Sequence, residues 1–278
     1  MSATSSIGAR RLTRPGIYEC PVVQIDEVAR GIFLMRLENP AISRAAQPGQ
    51  FVNLRVRDEA IPLLRRPFSV CRTNREAGTF DLLWKIYGTG TELMTKAQPG
   101  DCANALAPLG NGFSISSNIK NKIVIAGGLG VAPMPLLIEN LRQLKVDVKV
   151  LLGARTDNEL WGEEIFQSLG ARVSFATDDG SRGYKGFVTS LLQEELKKNR
   201  EVEIFACGPM PMLAKVSQIC LEAQISAQLS IETMMGCGFG ICMGCPMIPA
   251  KGVKEHGRYL LACLDGPVFH AGEVALHD

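Results

Sequence analysis

The 278-residue sequence contains no uninterrupted run of about 18 apolar residues, so nothing in it reads as a membrane-spanning segment. It has little surplus charge: 30 Lys and Arg against 28 Asp and Glu leave +2. No basic stripe interleaved with aromatic residues occurs, which removes the electrostatic case for nucleic acid or an anionic membrane as a partner. The stretch from Met1 to Arg11 lacks an apolar core of secretory-signal length. Three histidines, His256, His270 and His277, lie in the polar C-terminal stretch with no convergent Asp or Glu. A hydrolytic triad or a metal-hydrolase site therefore finds no support. There is no internal repeat and no low-complexity segment. What remains is an ordinary globular composition, 46% hydrophobic and 21% charged, long enough for two domains and a small appendage.

Nine cysteines are the informative residues, and four of them, Cys237, Cys242, Cys245 and Cys263, follow C-x4-C-x2-C-x17-C. That order is the spacing of plant-type 2Fe-2S ligands, in which four thiolates converge on a small inorganic core. Gly236, Gly238, Gly240 and Gly244 are expected to let the loop wrap the cluster with positive φ and aim backbone N–H groups at sulfur. The competing reading is structural zinc, because Cys242 and Cys245 also suit a zinc knuckle. Cys237 and Cys263 form no second C-x2-C pair, which favours iron-sulfur. Cys20, Cys71, Cys102, Cys207 and Cys220 sit in apolar segments and read as ordinary buried thiols. The thiolates and the odd cysteine count together point to a reducing cytoplasm.

Residues 17–28, 32–38, 50–56, 67–72, 79–86 and 101–107 read as strands, rich in β-branched residues and punctuated by Pro48-Gly49 and Pro99-Gly100. Six such strands predict a small antiparallel barrel. The period then changes. Strands over 122–126, 148–152, 172–176, 201–206 and 227–231 alternate with helices over 133–144, 158–168, 188–197 and 210–223, the pattern of a parallel dinucleotide-binding sheet. The expected organisation is a flexible arm over 1–15, a β-barrel domain over 16–116, an α/β domain over 117–228 and a cluster-binding segment over 229–278.

Arg66, Pro67, Phe68 and Ser69 fall on a barrel strand, where a proline restricts the strand to an edge or bulge. Arg66 suits a pyrophosphate, Phe68 an apolar ring and Ser69 a flavin ring nitrogen; the plain alternative is a solvated edge-strand charge. Gly88, Gly90 and Thr91 precede a helix-like Leu93 to Lys96, and form either a phosphate-binding turn or a simple helix start. Gly127, Gly128 and Gly130 lie between a strand and a helix opened by Pro133, the context in which a glycine loop is meaningful, although the pattern is not G-x-G-x-x-G. Asp178 and Asp179 suit ribose hydroxyls and favour NAD; Arg155 offers the alternative of a 2′-phosphate.

In this order, with Pro108 to Phe113 and Cys207 to Met210, these motifs resemble the ferredoxin-NADP reductase superfamily. More narrowly, they resemble the electron-transfer subunits of class B dihydroorotate dehydrogenases. The likeness runs from about Ile17 to Val274 and is most specific in the cysteine loop, the run Thr177 to Val188 and the closing Cys263 to Phe269. It implies FAD held by Arg66, Pro67, Phe68, Ser69, Gly88, Gly90, Thr91, Leu109 and Gly110. Nicotinamide nucleotide would pass Gly127, Gly128, Gly130, Asp178, Asp179, Gly208 and Pro209, with Ser69, Cys207 and Glu232 at the reacting rings. Phe68 stands where many members carry tyrosine, which keeps the aromatic surface and loses the phenolic hydrogen bond. The resemblance also implies a partner: an FMN-containing catalytic subunit that oxidises dihydroorotate to orotate in pyrimidine biosynthesis, in a heterotetramer with two of each chain. Electrons would pass through the cluster and FAD to NAD⁺.

Overall fold

The structure, a computed structural model, describes residues 15–57, 61–251 and 259–276. Except for Pro15, the arm expected over 1–15 lies outside the described residues, as do His256 and His277.

The first half of the chain gives β1 (Gly16–Ala29), β2 (Ile32–Glu38), α1 (Pro40–Ala45), β3 (Phe51–Leu54), β4 (Arg66–Asn74), β5 (Thr79–Lys85), α2 (Thr89–Met94) and β6 (Cys102–Leu109). The strands close into an antiparallel barrel in the order β1-β2-β5-β4-β3-β6. Its interior is filled by Leu37, Val52, Leu54, Val70, Phe80, Leu82 and Trp84, all buried, with Phe33 stacked on Trp84 at 5.8 Å. Helix α1 was not foreseen, although its start is written locally. The Asn39 side chain accepts from the amides of Ala41 and Ile42, and Pro40 occupies the first turn, where its missing N–H costs nothing.

Although the barrel is closed, Pro67 lies on a stretch open on one side, in keeping with the edge or bulge a strand proline calls for. Residues Arg66 to Ser69 pair with β3, Pro67 standing opposite Asn53, but pairing of β4 with β5 begins only at Val70. The first half of β4 is thus an edge on one side, which is why a proline fits there.

The second half gives β7 (Asn121–Gly127), a 3-10 turn (Gly128–Val131), α3 (Met134–Gln143), β8 (Asp147–Ala154), a second 3-10 turn (Asp157–Glu159), α4 (Glu163–Ser168), β9 (Arg172–Thr177), β10 (Tyr184–Lys185), α5 (Val188–Lys198), β11 (Val202–Cys207), α6 (Met210–Ala223) and β12 (Ala227–Ser230). Here β7 and β11 are buried almost throughout, as central parallel strands covered on both faces must be. The helix expected over 158–168 is broken: Gly162, at φ +96, separates the 3-10 turn from α4. Beneath the sheet the fully buried Lys122 donates to the Glu203 carboxylate. Glu203 also accepts from Gln228, whose amide brackets the Ser114 backbone at 2.7 Å on both sides and ties the interdomain link to the sheet.

The C-terminal segment adds β13 (Pro246–Met247), β14 (Leu260–Leu261) and β15 (Val268–His270). The sheet order is β10-β9-β8-β7-β11-β12-β15, with β15 antiparallel to β12. Neither β10 nor β15 was expected. The barrel exit is locked to this segment as well: Asn111 Nδ2 donates to the carbonyls of Leu264 and Asp265 at 2.9 Å.

Candidate functional site

The order of the sheet reverses between β7 and β11, and ligands of open α/β sheets bind beyond the strand carboxyl ends at such a point. A cavity of about 1000 Å³ opens there, against the barrel. Gly127, Gly128, Gly130, Asp178, Gly208, Pro209 and Glu232 all line it. Gly130 is small for a packing reason, since a Cβ there would stand 2.2 Å from the Cys207 carbonyl oxygen. This close approach lets the glycine turn lie against the β11 end.

Cys207 itself does not reach the cavity. It is fully buried, and burial, followed by the nearby Glu232 carboxylate, pushes its thiol well up. Asp179 also turns away: its carboxylate accepts from the Ser181 hydroxyl at 2.6 Å and the Ser181 amide at 2.9 Å, which hold its pKa below the usual range. Glu232 lines the cavity with its side chain exposed to it, and the protein packed around the site raises its carboxyl.

The structure adds residues that sequence reasoning passed over. Tyr87 and Phe187 line the cavity, 82% and 72% exposed, and offer aromatic surface to whatever binds there. Both adjoin motifs read from the sequence, Tyr87 before Gly88 and Phe187 inside the Thr177 to Val188 run. Glu159, also on the wall, pairs with Arg155 and with Lys85 of the barrel at 3.1 Å. The hydrogen bond from Arg155, followed by that from Lys85, overcomes burial and lowers Glu159 to about 2. Arg155 lies on the same wall, largely exposed and paired with Glu159.

On the barrel, Arg66 and the glycine turn converge. A Cβ at Gly90 would come within 2.9 Å of Arg66 Nε, whereas Gly88 has nothing within 4 Å. The helix starts earlier than expected, at Thr89, so Gly90 belongs to its first turn. Thr91 is occupied structurally: its hydroxyl accepts from the amides of Tyr87 and Gly88 and donates to the Gly88 carbonyl. The amides at the helix start, which have no intrahelical partner, remain the donors suited to phosphate. Ser69 is partly exposed on the open half of β4. Phe68 is 8% exposed and packs into the barrel core, its ring 6.1 Å from Trp84, so it offers a flavin little more than an edge. Leu109 is buried, and Gly110, at φ +73, lies against Pro267 of the cluster segment.

In the cysteine loop, backbone amides already face sulfur. Cys242 N and Phe239 N donate to Cys237 Sγ at 3.4 and 3.5 Å, and Cys237 N and Gly244 N donate to Cys242 Sγ at 3.4 Å. Burial would raise the Cys237 thiol, but these amides outweigh it and bring it down to about 6. Cys263 goes the other way, to about 12, through burial and a hydrogen bond with Cys245. The thiols fall into two pairs, Cys237 with Cys242 and Cys245 with Cys263. Among the described residues no three His, Cys, Asp or Glu side chains converge on one metal position, so the fit to a two-iron cluster rests on four thiol donors arranged two by two. Of the four glycines expected at positive φ, Gly238 and Gly240 have it, at +83 and +88. Gly236 and Gly244 serve differently, since a Cβ on either would crowd Cys242 Sγ at 3.1 or 3.3 Å. Of the remaining cysteines, Cys102 is exposed rather than buried, because β6 begins there at the barrel rim.

A model described as the iron-sulfur cluster binding domain of dihydroorotate dehydrogenase B matches residues 232–275; an oxidoreductase NAD-binding domain matches 124–218 and an oxidoreductase FAD-binding domain 19–113. The dihydroorotate dehydrogenase B (NAD(+)) electron transfer subunit of Desulforamulus reducens is 36% identical over 260 residues, covering 93% of this chain and 98% of that one. The chain belongs to this family of electron transfer subunits. It is an oxidoreductase subunit with FAD, NAD and an iron-sulfur cluster as its cofactors. The Geobacillus kaustophilus protein of the same description is 36% identical over 253 residues, with 90% and 95% of the two chains covered. Among solved structures, an NADH-dependent reduced ferredoxin-NADP oxidoreductase superposes with a TM-score of 0.83 at 27% identity, over 92% of this chain and 90% of the other. A ferredoxin NADP⁺ reductase from Neisseria gonorrhoeae, with FAD and NADP bound, shares the fold at a TM-score of 0.64 and 19% identity, over 74% and 91%.

Proposed function

We propose that this chain carries electrons from a partner FMN subunit, which oxidises dihydroorotate to orotate, through a 2Fe-2S cluster and FAD to NAD⁺. The FAD exchanges a hydride with nicotinamide and single electrons with the cluster, so it joins two-electron to one-electron chemistry. The chain's residues supply position. Arg66 and the amides at the start of α2 hold the pyrophosphate, with Gly88 and Gly90 leaving room for it and Thr91 fixing the turn. Pro67, Phe68, Leu109 and Gly110 shape the ring site, and Ser69 hydrogen-bonds the flavin ring. The glycine turn, Asp178, Gly208 and Pro209 receive the nucleotide, and Glu232 faces the nicotinamide. Cys207 supports the β11 end from below, and Asp179 holds the loop that presents Asp178. Cys237, Cys242, Cys245 and Cys263 hold the iron.

The observation that carries this reading is the short connection from Glu232, on the cavity wall, to Cys237, where amides already face sulfur. The names of the relatives support dihydroorotate as the electron source and a multi-subunit assembly. Phe239, Ile241, Met243 and Leu264 surround the cluster loop with side chains 43% to 74% exposed and form the surface that meets the partner, in a heterotetramer of two plus two. The division into a barrel domain over 16–116, a nucleotide domain over 117–228 and a cluster segment over 229–278 belongs to the same proposal. So does a cytoplasmic place in pyrimidine biosynthesis; among the described residues no helix is long and apolar enough to cross a membrane.

A second reading is favoured by the TM-score of 0.83 to the ferredoxin-NADP oxidoreductase: a flavin subunit of another reductase complex. One experiment separates the two. Mixed with a catalytic subunit of class B dihydroorotate dehydrogenase from the same host, the chain should support dihydroorotate-dependent NAD⁺ reduction, and neither chain alone should. Two chains that bind FAD and iron yet neither associate nor couple would leave only the broader reductase reading.

A further inference from the structure

Asn53 sits in the middle of β3, opposite Pro67 of β4 on one side and Leu106 of β6 on the other. It is fully buried between Val52 and Leu54, an amide in a stretch otherwise apolar. Strands are depleted in asparagine, and a buried amide is unfavourable unless its hydrogen bonds are made. Among the described residues its one side-chain hydrogen bond is not to the barrel. Nδ2 donates to the carbonyl oxygen of Cys237 at 2.8 Å, across 184 residues of sequence. The acceptor is a carbonyl, so the amide nitrogen has to face it. Oδ1 is buried and unpartnered among the described residues. The neighbouring Gly238 is closed over the same amide: a Cβ there would stand 2.6 Å from Nδ2 and 3.4 Å from Leu109.

We propose that Asn53 is a positioning residue for the cluster, clasping the Cys237–Gly238 peptide of the ligand loop to the strand beside the flavin-binding half of β4. Val52 and Leu54 fill the barrel core, so alternation puts the Asn53 side chain on the opposite face, toward the cluster segment, and among the described residues the barrel satisfies neither end of the amide. What the amide satisfies is the loop. The held peptide carries the ligand Cys237 and leads to Phe239, whose N–H faces Cys237 Sγ. Fixing its carbonyl sets the direction of the first ligand. It also places a donor on a carbonyl dipole beside the cluster, and groups behind a metal ligand tune both retention and potential.

This inference rests on the reading that the chain binds a cluster and a flavin. Its test compares Asn53→Leu, near in volume but without the donor, with Asn53→Asp, which turns an acceptor toward the Cys237 carbonyl. Each variant is purified anaerobically with flavin content as the control. The readouts are the electron paramagnetic resonance spectrum of the reduced cluster, its reduction potential and the rate of iron release to a chelator. The expected result is undiminished flavin, an altered spectrum and potential, and iron release faster by about tenfold, the lower end of what loss of an outer-shell partner costs, with Asp worse than Leu. Asn53→Ala, which removes the donor without adding bulk or charge, keeps the test available where the Leu or Asp variant fails to fold, and should show the same change. Iron-loaded variants with wild-type spectrum, potential and iron release would overturn the role of Asn53. Wild-type protein with flavin but no iron would instead overturn the reading beneath it.

Discussion

At the scale of single residues, charge and burial decide what each group can do. Arg66 lies beside Gly90, where a side chain would collide with it. Arg66→Ala should therefore weaken FAD retention by about 10- to 100-fold, the equivalent of one charge-assisted hydrogen bond, measurable by flavin release on dilution. Glu232 carries a pH dependence with a definite sign. The protein packed around the site raises its carboxyl above the ordinary 4.5, so it is neutral at low pH and becomes an anion as pH rises through the raised value. The nicotinamide ring of NAD⁺ is cationic, so NAD⁺ binding should tighten across that window and stay flat in Glu232→Gln, as titration of the dissociation constant against pH would show. Cys242 stands at the centre of the sulfur-facing amides, giving and receiving contacts with Cys237. Cys242→Ala should remove iron and sulfide while leaving the flavin, against two irons and two sulfides in the parent chain by chemical analysis.

At the scale of elements, the barrel and the sheet are joined by few charged contacts, and the Lys85–Glu159 pair is one of them. Glu159 falls from an ordinary 4.5 to about 2 in the folded chain, so its contribution is fully present above about 4.5 and is lost as pH falls toward 2. The stability difference between parent and Glu159→Gln in denaturant titrations should be largest near neutrality and should vanish across that acid window. The half-paired β4 follows the same logic. Closing a barrel ordinarily satisfies every strand, yet Arg66 to Ser69 face β5 without pairing, and those are the residues assigned to the flavin. The segment that carries Cys263 is held in a comparable way, by β15 on the sheet and by Asn111 from the barrel exit.

At the scale of the whole molecule, the cluster loop presents Ile241 and Met243 to solvent at 74% and 55% exposure. Apolar side chains grouped beside a redox site mark a contact surface more than a free face. Met243→Glu should weaken assembly with the catalytic subunit by at least about tenfold in sedimentation or titration calorimetry, with iron and flavin contents unchanged, since one unpaired charge in an interface costs more than 1.4 kcal/mol.

Local chemistry wrote much of this protein into its sequence. Alternation gave the six barrel strands, the change of period gave the sheet and most of its helices, and the cysteine spacing gave the ligand set, because each depends on residues near one another in the chain. Helix α1 was equally local, in Asn39-Pro40, and was missed; the break before α4 depended on the one left-handed glycine, Gly162. What no local pattern contained were contacts made across long loops. The barrel's closure put Pro67 inside a strand open on one side, and β15 returned to cover β12. Asp178 and Asp179 look alike in sequence and part in the fold, because only Asp179 finds Ser181. Cys207 reads as a site residue by its neighbours and is buried by its strand position. Asn53 and Cys237 meet only because the barrel and the cluster segment are packed together, and a hydrogen bond across 184 residues has no signature in either stretch alone.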